Sequence, residues 1–495
     1  MWLEEQFWGQ RLWDQQSPWL TFLEFLCVAA SAYTAGHLFD FEKSQYPSEY
    51  SAFGRVHLRN ILFNNEQQIS RIAVSNGDNA TAWSKWLTWM EANARGLDAA
   101  QRDFSYLRGR FESFHEFATL VKALRSCVVE AETNKRWSSR FIFPFGPSAI
   151  FEDLSIKDEL PTRDYVYFGR SGELLYHMLS RSKLRKELSA ALPSRILDST
   201  NKWSLLVERL QPSKIDSGAR RGVAAFLPYD AHPIFDLIAE DWLQLLQLRL
   251  PGFDVIPYLV TSAAFGLLLY QLHTSAAIAG GNPKPPMICE IVAPKKGLVR
   301  EMSIESFEEN SFLSLEAIEK LISSAERDPA WNEQGSSADL LHSRRRILET
   351  MFRWSSEHQI SDPDNLLKQL RAEAKERHSR HFGKVHRSFG RGVGLVSSRG
   401  TNRYRYAPTD HFLRCIVFAT VSKRMEFGEL LAQLYDRYGL VFGEREAEKA
   451  AKQGIDKKPF QQNALRLEHR LSSLGLLKRL SDACAYVENQ YVGQA

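Results

Sequence analysis

The stretch RLSSLGLLKRLSDACAYV (Arg470–Val487) decides the C-terminal fold. A helical pattern stops at Leu474-Gly475, because glycine just past the last periodic residue is a common helix stop. LLKRL, a Ser481-Asp482 turn and ACAYV then predict two short strands joined tightly. Upstream, FQQNALRLEHRLSSLG (Phe460–Gly475) reads as a helix with Ala464, Leu467, Leu471 and Leu474 on its core side. Gln462, Arg466, His469 and Ser473 fall on another side, joined by Asn463 and Arg470. A charged loop through Lys457-Lys458-Pro459 precedes it. EFGELLAQLYDRYG (Glu426–Gly439) is a second helix closed by glycine. A third begins at HFLRCIVFATVSK, capped by Thr409 or Asp410.

Helix, helix, helix and hairpin over residues 408–495 resembles the winged-helix family. In members that bind DNA the third helix enters the major groove. The resemblance therefore implies a DNA-reading role for Gln462, Asn463, Arg466, His469 and Arg470, with Lys478 added from the wing. These residue types read base edges or hold phosphates. The sequence departs from the family where Ala483 follows Asp482, a place often held by glycine, so a short wing is expected. The loop before the third helix is also long. Winged helices also serve as protein-binding modules, and Glu468 lies within the same helix.

Charge is distributed unevenly. Lys368 to Arg405 carries 11 Lys or Arg against 2 Glu, a local charge of +9, while residues 1–367 carry −7. A basic segment on a mildly acidic body points to a polyanion partner, here double-stranded DNA. Asn365 to Arg387 begins as a helix with Leu366, Leu367 and Leu370 on one side. Beyond Ala374 the apolar face ends and the chain reads KERHSRHFGKVHR. Lys375, Arg377, Arg380, Lys384, Arg387 and Arg391 are the expected phosphate contacts of this connector. GRGVGLVSSRGTNRYRYAP (Gly390–Pro408) matches neither GxGxxG nor GxxxxGKS, so it is no nucleotide loop, and no cofactor is expected. It suits a hairpin pairing Val393–Val396 with Tyr404–Tyr406. Strand alternation puts Arg403 and Arg405 outward towards phosphates and Tyr404 and Tyr406 inward. A solvated charged loop is the alternative.

A chain of 495 residues exceeds one ordinary core, so two to four domains are expected. Composition is that of a globular protein. The expected class is mainly α, a helical multidomain body with minor β hairpins and a C-terminal winged helix. The expected divisions are 1–139 (helical), 140–326 (mixed), 327–407 (linker, helix and basic hairpin) and 408–495. Trp2, Phe7, Trp8, Trp13, Trp19, Phe22 and Phe25 suit a core helix better than an exposed partner-binding one. Helices are expected over Trp19–Ala30, Ala80–Ala94, Phe104–Glu132 and Gly172–Leu192, with a break across Arg140–Leu154. Pro286–Arg300 suggests a strand and hairpin, and Arg327–Ser337 a linker and domain boundary.

Val255–Pro283 has no charged residue, yet its Thr261, Ser262, Gln271 and His273 suit a buried helix better than a membrane span. Five scattered cysteines without a CxxC pair exclude a zinc ribbon and fit a reducing compartment. Glu4 and Glu5 stand where a signal peptide would be basic, so a cytoplasmic location is expected. Asp230, His232, His177 and His273 have no metal-ligand spacing. Asp254 and Glu290 are placed as in a D…ExK nuclease, but Ile291-Val292 follows Glu290 where a lysine is needed. The expected function is a non-catalytic DNA-binding accessory subunit that docks partner proteins. The layout resembles accessory proteins of prokaryotic DNA-processing or anti-phage defence systems in architecture only, with no family motif over residues 1–360. A protein-only scaffold and a metal-dependent nuclease are the alternatives.

Overall fold

Apolar residues recurring every three or four positions do fold as helices, and the computed structural model is mainly helical. It describes residues 3–13, 16–42, 56–75, 77–94, 97, 99–126, 130–133, 136–139, 152–157, 160–163, 170–197, 202–212, 225–291, 297–332, 335–355, 361–398, 403–451, 454–480 and 484–492. After α1 (Glu5–Trp8), α2 (Pro18–Thr34) starts where the Ser17 hydroxyl accepts the Leu20 N–H at 3.3 Å, with Pro18 preset for the first turn. Phe7, Trp8, Phe22 and Phe25 are buried, and the Phe25 ring meets Trp242 edge-on at 4.9 Å. The aromatic N-terminus thus serves the core; Trp2 lies outside the described residues.

Helices α3 (Val56–Arg59), α4 (Glu66–Val74), α5 (Asn79–Asn93) and α6 (Phe114–Ser126) enclose a second apolar cluster around Trp83, Trp86, Phe104 and Phe117. The single helix expected from Phe104 to Glu132 is a misreading. Asp103 Oδ1 accepts the Ser105 N–H at 2.8 Å and turns the chain into a 3-10 segment, and the helix proper begins only after Ser113. Its far end is a strand. β1 (Glu130–Thr133), β2 (Arg136–Ser139), β3 (Glu152–Lys157) and β4 (Leu160–Arg163) form an antiparallel meander in sequence order, which the sequence reading missed. Most of the expected break, residues 140–151, lies outside the described residues.

The stretch read as one helix over Gly172–Leu192 is two, α7 (Ser171–Ser180) and α8 (Arg185–Leu192). Then come α9 (Lys202–Glu208), α10 (Pro233–Leu246) and α11 (Gly252–Ala279). Helix α11 is long and apolar enough to cross a membrane, but 89% of its most apolar stretch is buried inside the protein. It is the central helix, packed against α2 and α10 and two later helices, α12 (Leu298–Ser323) and α14 (Pro363–Gly392). Between α11 and α12 runs the short strand β5 (Met287–Ile288). The turn of the expected hairpin falls mostly on residues 292–296, which lie outside the described residues, and α12 opens at Leu298. The expected boundary at Arg327–Ser337 contributes Trp331 to the main core, beneath Arg344 of α13 (Ser337–Phe352). One continuous apolar cluster runs from Leu3 to Val487.

The apolar face of α14 does not end at Ala374, as the sequence reading has it. Leu366, Leu370, Ala374, His378, Val385, His386 and Phe389 are all buried. Two histidines hide the stripe by holding core positions. His378 Nδ1 lies 2.9 Å from Glu4 Oε2, and His386 Nε2 lies 2.8 Å from the Tyr406 hydroxyl, which also accepts from Asn310 Nδ2.

Burial pushes His386 down to about 4 from its ordinary 6.5, and it does the same to His232 and His273. A histidine with a depressed folded pKa stays neutral in the fold and protonates more readily in the unfolded chain. Its contribution is present above pH 6.5 and is lost as pH falls towards 4. The melting temperature should therefore drop over that interval. His386→Gln keeps an acceptor for Tyr406 and removes one titration, so its melting temperature should vary less with pH. An identical pH slope in the variant would contradict the assignment.

Candidate nucleic-acid interface

The C-terminal elements begin with a hairpin of β6 (Val396–Ser397) and β7 (Arg405–Tyr406), paired Val396 to Tyr406 and Ser397 to Arg405. Helix α15 (Asp410–Thr420) is capped by Thr409, whose Oγ1 accepts the Phe412 N–H at 3.3 Å. β8 (Met425–Glu426) leads into α16 (Phe427–Tyr438), which stops at Gly439 with φ of 74°. A side chain there would be strained and would also meet the Pro285 carbonyl at 2.9 Å. β9 (Leu440–Val441) and α17 (Glu444–Ala450) occupy much of what the sequence reading makes a loop. Helix α18 (Lys457–Ser473) starts earlier than expected, because Asp456 accepts the Lys458 N–H at 3.1 Å. Lys457 and Lys458 therefore belong to its first turn. After Gly475, β10 (Leu477–Arg479) and β11 (Ala485–Val487) complete a three-stranded antiparallel sheet in the order β10-β11-β8. The tip residues 481–483 lie outside the described residues.

These elements are fused to the body. β9 pairs in parallel with β5, and the Glu290 N–H donates to the Tyr406 carbonyl at 2.9 Å. Arg437 reaches Asp241 Oδ1 at 2.6 Å and Glu240 at 2.9 Å, while the Tyr438 hydroxyl donates to the same Asp241 oxygen at 2.8 Å. This buried polar tie was not read from the sequence, since its partners lie about two hundred residues apart.

Helix α18 buries Phe460, Asn463, Leu467 and Leu471. Gln462 and His469 are exposed, and Arg466 is half-buried with no acidic partner among the described residues. Lys458, expected in a loop, extends the same outer face. Asn463 is not a DNA-reading residue, because it is fully buried. Its Oδ1 accepts the Ile291 N–H at 2.8 Å, and its Nδ2 donates to the Cys289 and Phe442 carbonyls at 2.9 and 3.0 Å. Arg470 points back to Asp410 at 2.6 Å and to the Pro408 carbonyl at 3.0 Å. Lys478 is exposed on β10 and lies 3.0 Å from Glu488.

The hairpin arginines also differ from expectation. Arg405 faces inward, buried against Glu290, and Arg300 Nη1 lies 3.5 Å from the other oxygen of that carboxylate. Strand alternation fails here because Tyr406 is buried as well, each side of so short a ladder being covered by another element. Arg403 is exposed but forked onto Glu308 of α12 at 3.1 Å. Neither arginine is presented to a phosphate in this arrangement.

The connector cations sort into two sets. Arg377, Arg380, Lys384, Arg387 and Arg391 recur at steps of three and four, which aligns them on one ridge of α14 about 21 Å long. Arg377, Lys384 and Arg391 are exposed, and the Arg387 guanidinium lies 5.1 Å from the Tyr404 ring centre. The Arg380 side chain lies outside the described residues. Lys375 is exposed on the opposite side of the helix.

Two of the histidines weighed as metal ligands have structural neighbours. His232 caps α10, its Nδ1 accepting the Ile234 N–H at 3.2 Å, and His177 Nε2 lies 3.7 Å from Glu173. No cluster of three His, Cys, Asp or Glu suited to a metal occurs among the described residues. The chain matches no protein-family model, no curated protein and no solved structure.

Proposed function

We propose that residues 408–495 are a winged-helix module and that the chain is a non-catalytic DNA-binding subunit of a multi-protein system. The carrying observation is the alignment of Lys458, Gln462, Arg466, His469 and Ser473 along the uncovered face of α18. A helix-strand-helix start, a later long helix and a closing hairpin support the module, as does the pairing of β8 with β11. In this reading α18 enters the major groove and the α14 ridge supplies sequence-independent phosphate contacts. The helical body holds the module rigidly and carries the surfaces for partner proteins. The resemblance in layout makes a DNA-processing or anti-phage defence system the setting to test. Asn463, Arg403, Arg405 and Arg470 leave the DNA-contacting set, and Lys458 joins it.

One observation favours a second reading, in which the module docks a protein. Leu465 on α18 and Leu480 at the end of β10 are 45% and 64% exposed. Apolar side chains beside a helix face suit a protein partner as well as packing against DNA sugars.

Salt dependence tests the ridge. Replacing Lys384 and Arg391 with Gln removes two exposed cations, so the slope of log affinity against log salt should fall by roughly 0.9 per lost contact on any duplex. Arg403→Ala should leave the slope unchanged, since that guanidinium is committed to Glu308. An unchanged slope in the double variant would mean that the ridge faces protein or solvent.

A further inference from the structure

A cavity of about 400 Å³ lies between α11, α15, the end of α18 and the tail after β11. Its wall is aromatic. Tyr258 stacks on His411 with ring centres 5.2 Å apart and planes 10° from parallel, and it meets Phe418 edge-on at 5.1 Å. Phe418 in turn meets Tyr491 edge-on at 5.5 Å. Tyr258 is half-buried and Tyr491 is 40% exposed, so ring surface remains open to the cavity.

Two charges complete the lining. Arg414 of α15 lies beside the Tyr258 hydroxyl and has no carboxylate partner among the described residues. Asp254, in the first turn of α11, is exposed into the same space with no cationic partner among them. Aromatic rings beside convergent charged groups, at this volume, suit a small polar ligand with a planar ring. A cation and an anion on one cavity, neither with an ionic partner among the described residues, suit a ligand with both an anionic end and hydrogen-bond donors. An aromatic carboxylate would satisfy Arg414 and leave Asp254 facing no donor. A nucleoside 5′-monophosphate satisfies all three features: a planar base for the aromatic wall, a phosphate for the guanidinium, and ribose hydroxyls or a base amine for the carboxylate.

We infer that this cavity is a binding site for a nucleoside 5′-monophosphate. It is separate from the outer face of α18, and it stands or falls independently of DNA binding there. Because Tyr258 belongs to the body and Gly475 ends α18, a bound nucleotide would touch both sides of the seam.

Isothermal titration of the full chain with the 5′-monophosphates of adenosine, guanosine, cytidine and uridine, and with the matching nucleosides, tests it. At least one monophosphate should bind with one-to-one saturation and at least tenfold more tightly than its nucleoside. Arg414→Gln, an exposed change, should erase that difference without altering nucleoside affinity or the melting temperature. Tyr491→Ala should weaken monophosphate and nucleoside alike. The inference is overturned by the absence of saturable binding for all four monophosphates. It is equally overturned by equal affinity for nucleotide and nucleoside, or by unchanged monophosphate binding in a folded Arg414→Gln protein.

Discussion

Replacing Glu290 with alanine is expected to lower folding stability by about 3–5 kcal/mol, because one buried carboxylate neutralises two buried guanidinium groups. Glu290 is 2% exposed, and Arg405 and Arg300 are each 7% exposed. Truncation leaves both cations in a site largely closed to water. Total stabilities of about 5–15 kcal/mol mean that such a loss puts the fold at risk. Glu290→Gln keeps the shape and an acceptor oxygen, so it should cost less. Denaturant midpoints for the two variants measure this directly. A loss below about 1 kcal/mol for Glu290→Ala would show that the cluster does not secure the fold. The result bears on the nuclease alternative too. Activity lost in Glu290→Ala could not be separated from loss of stability, so that variant alone cannot identify a catalytic carboxylate.

Asn463→Leu is the second large effect expected. It strips partners from the Ile291 N–H and from the Cys289 and Phe442 carbonyls. Each unmade buried hydrogen bond costs roughly 1–3 kcal/mol, so a total of about 3 kcal/mol or more is expected. The adjacent Gln462→Ala, on the exposed side, should shift stability by no more than about 0.5 kcal/mol. Thermal melts of the two neighbours make the comparison within one helix turn. Similar melting temperatures for both would contradict the role of Asn463 as the stitch between α18 and the strand after α11.

The contrast between these neighbours also shows what the sequence could and could not disclose. Periodicity located the three C-terminal helices, the closing glycines and the buried side of α18, because those follow from local spacing. It could not tell that Asn463 is buried, since a core asparagine looks like a surface one until its backbone partners, more than 170 residues away for Cys289, are in place. Arg405 was misassigned for the same reason: Glu290, its partner, lies 115 residues earlier. The connector was read as lacking an apolar face because His378 and His386 stand where leucine would have shown the repeat. The four-strand meander was missed because strands such as EAET and RWSS are four residues long with one apolar residue each, too short for an alternating pattern to register. Of the outer face of α18, Gln462, Arg466, His469 and Ser473 were legible from spacing, whereas Asn463 and Arg470 were placed there wrongly and Lys458 was hidden by the Pro459 that follows it.

Duplex DNA binding by the outer face of α18, as proposed above, can be decided by a charge reversal on that face. Lys458 and Arg466 are both changed to Glu in the full chain, and duplex affinity is measured by fluorescence anisotropy at low salt beside the unaltered protein. Lys458 is exposed, and Arg466 is half-buried on the side of the helix away from Leu467 and Leu471, so melting temperatures should agree closely. Affinity should nevertheless fall at least about tenfold, because two attractive phosphate contacts become repulsive. A folded double variant that binds duplex as tightly as the unaltered protein would contradict the claim and would leave the protein-docking reading, with Leu465 and Leu480 at its centre, in first place.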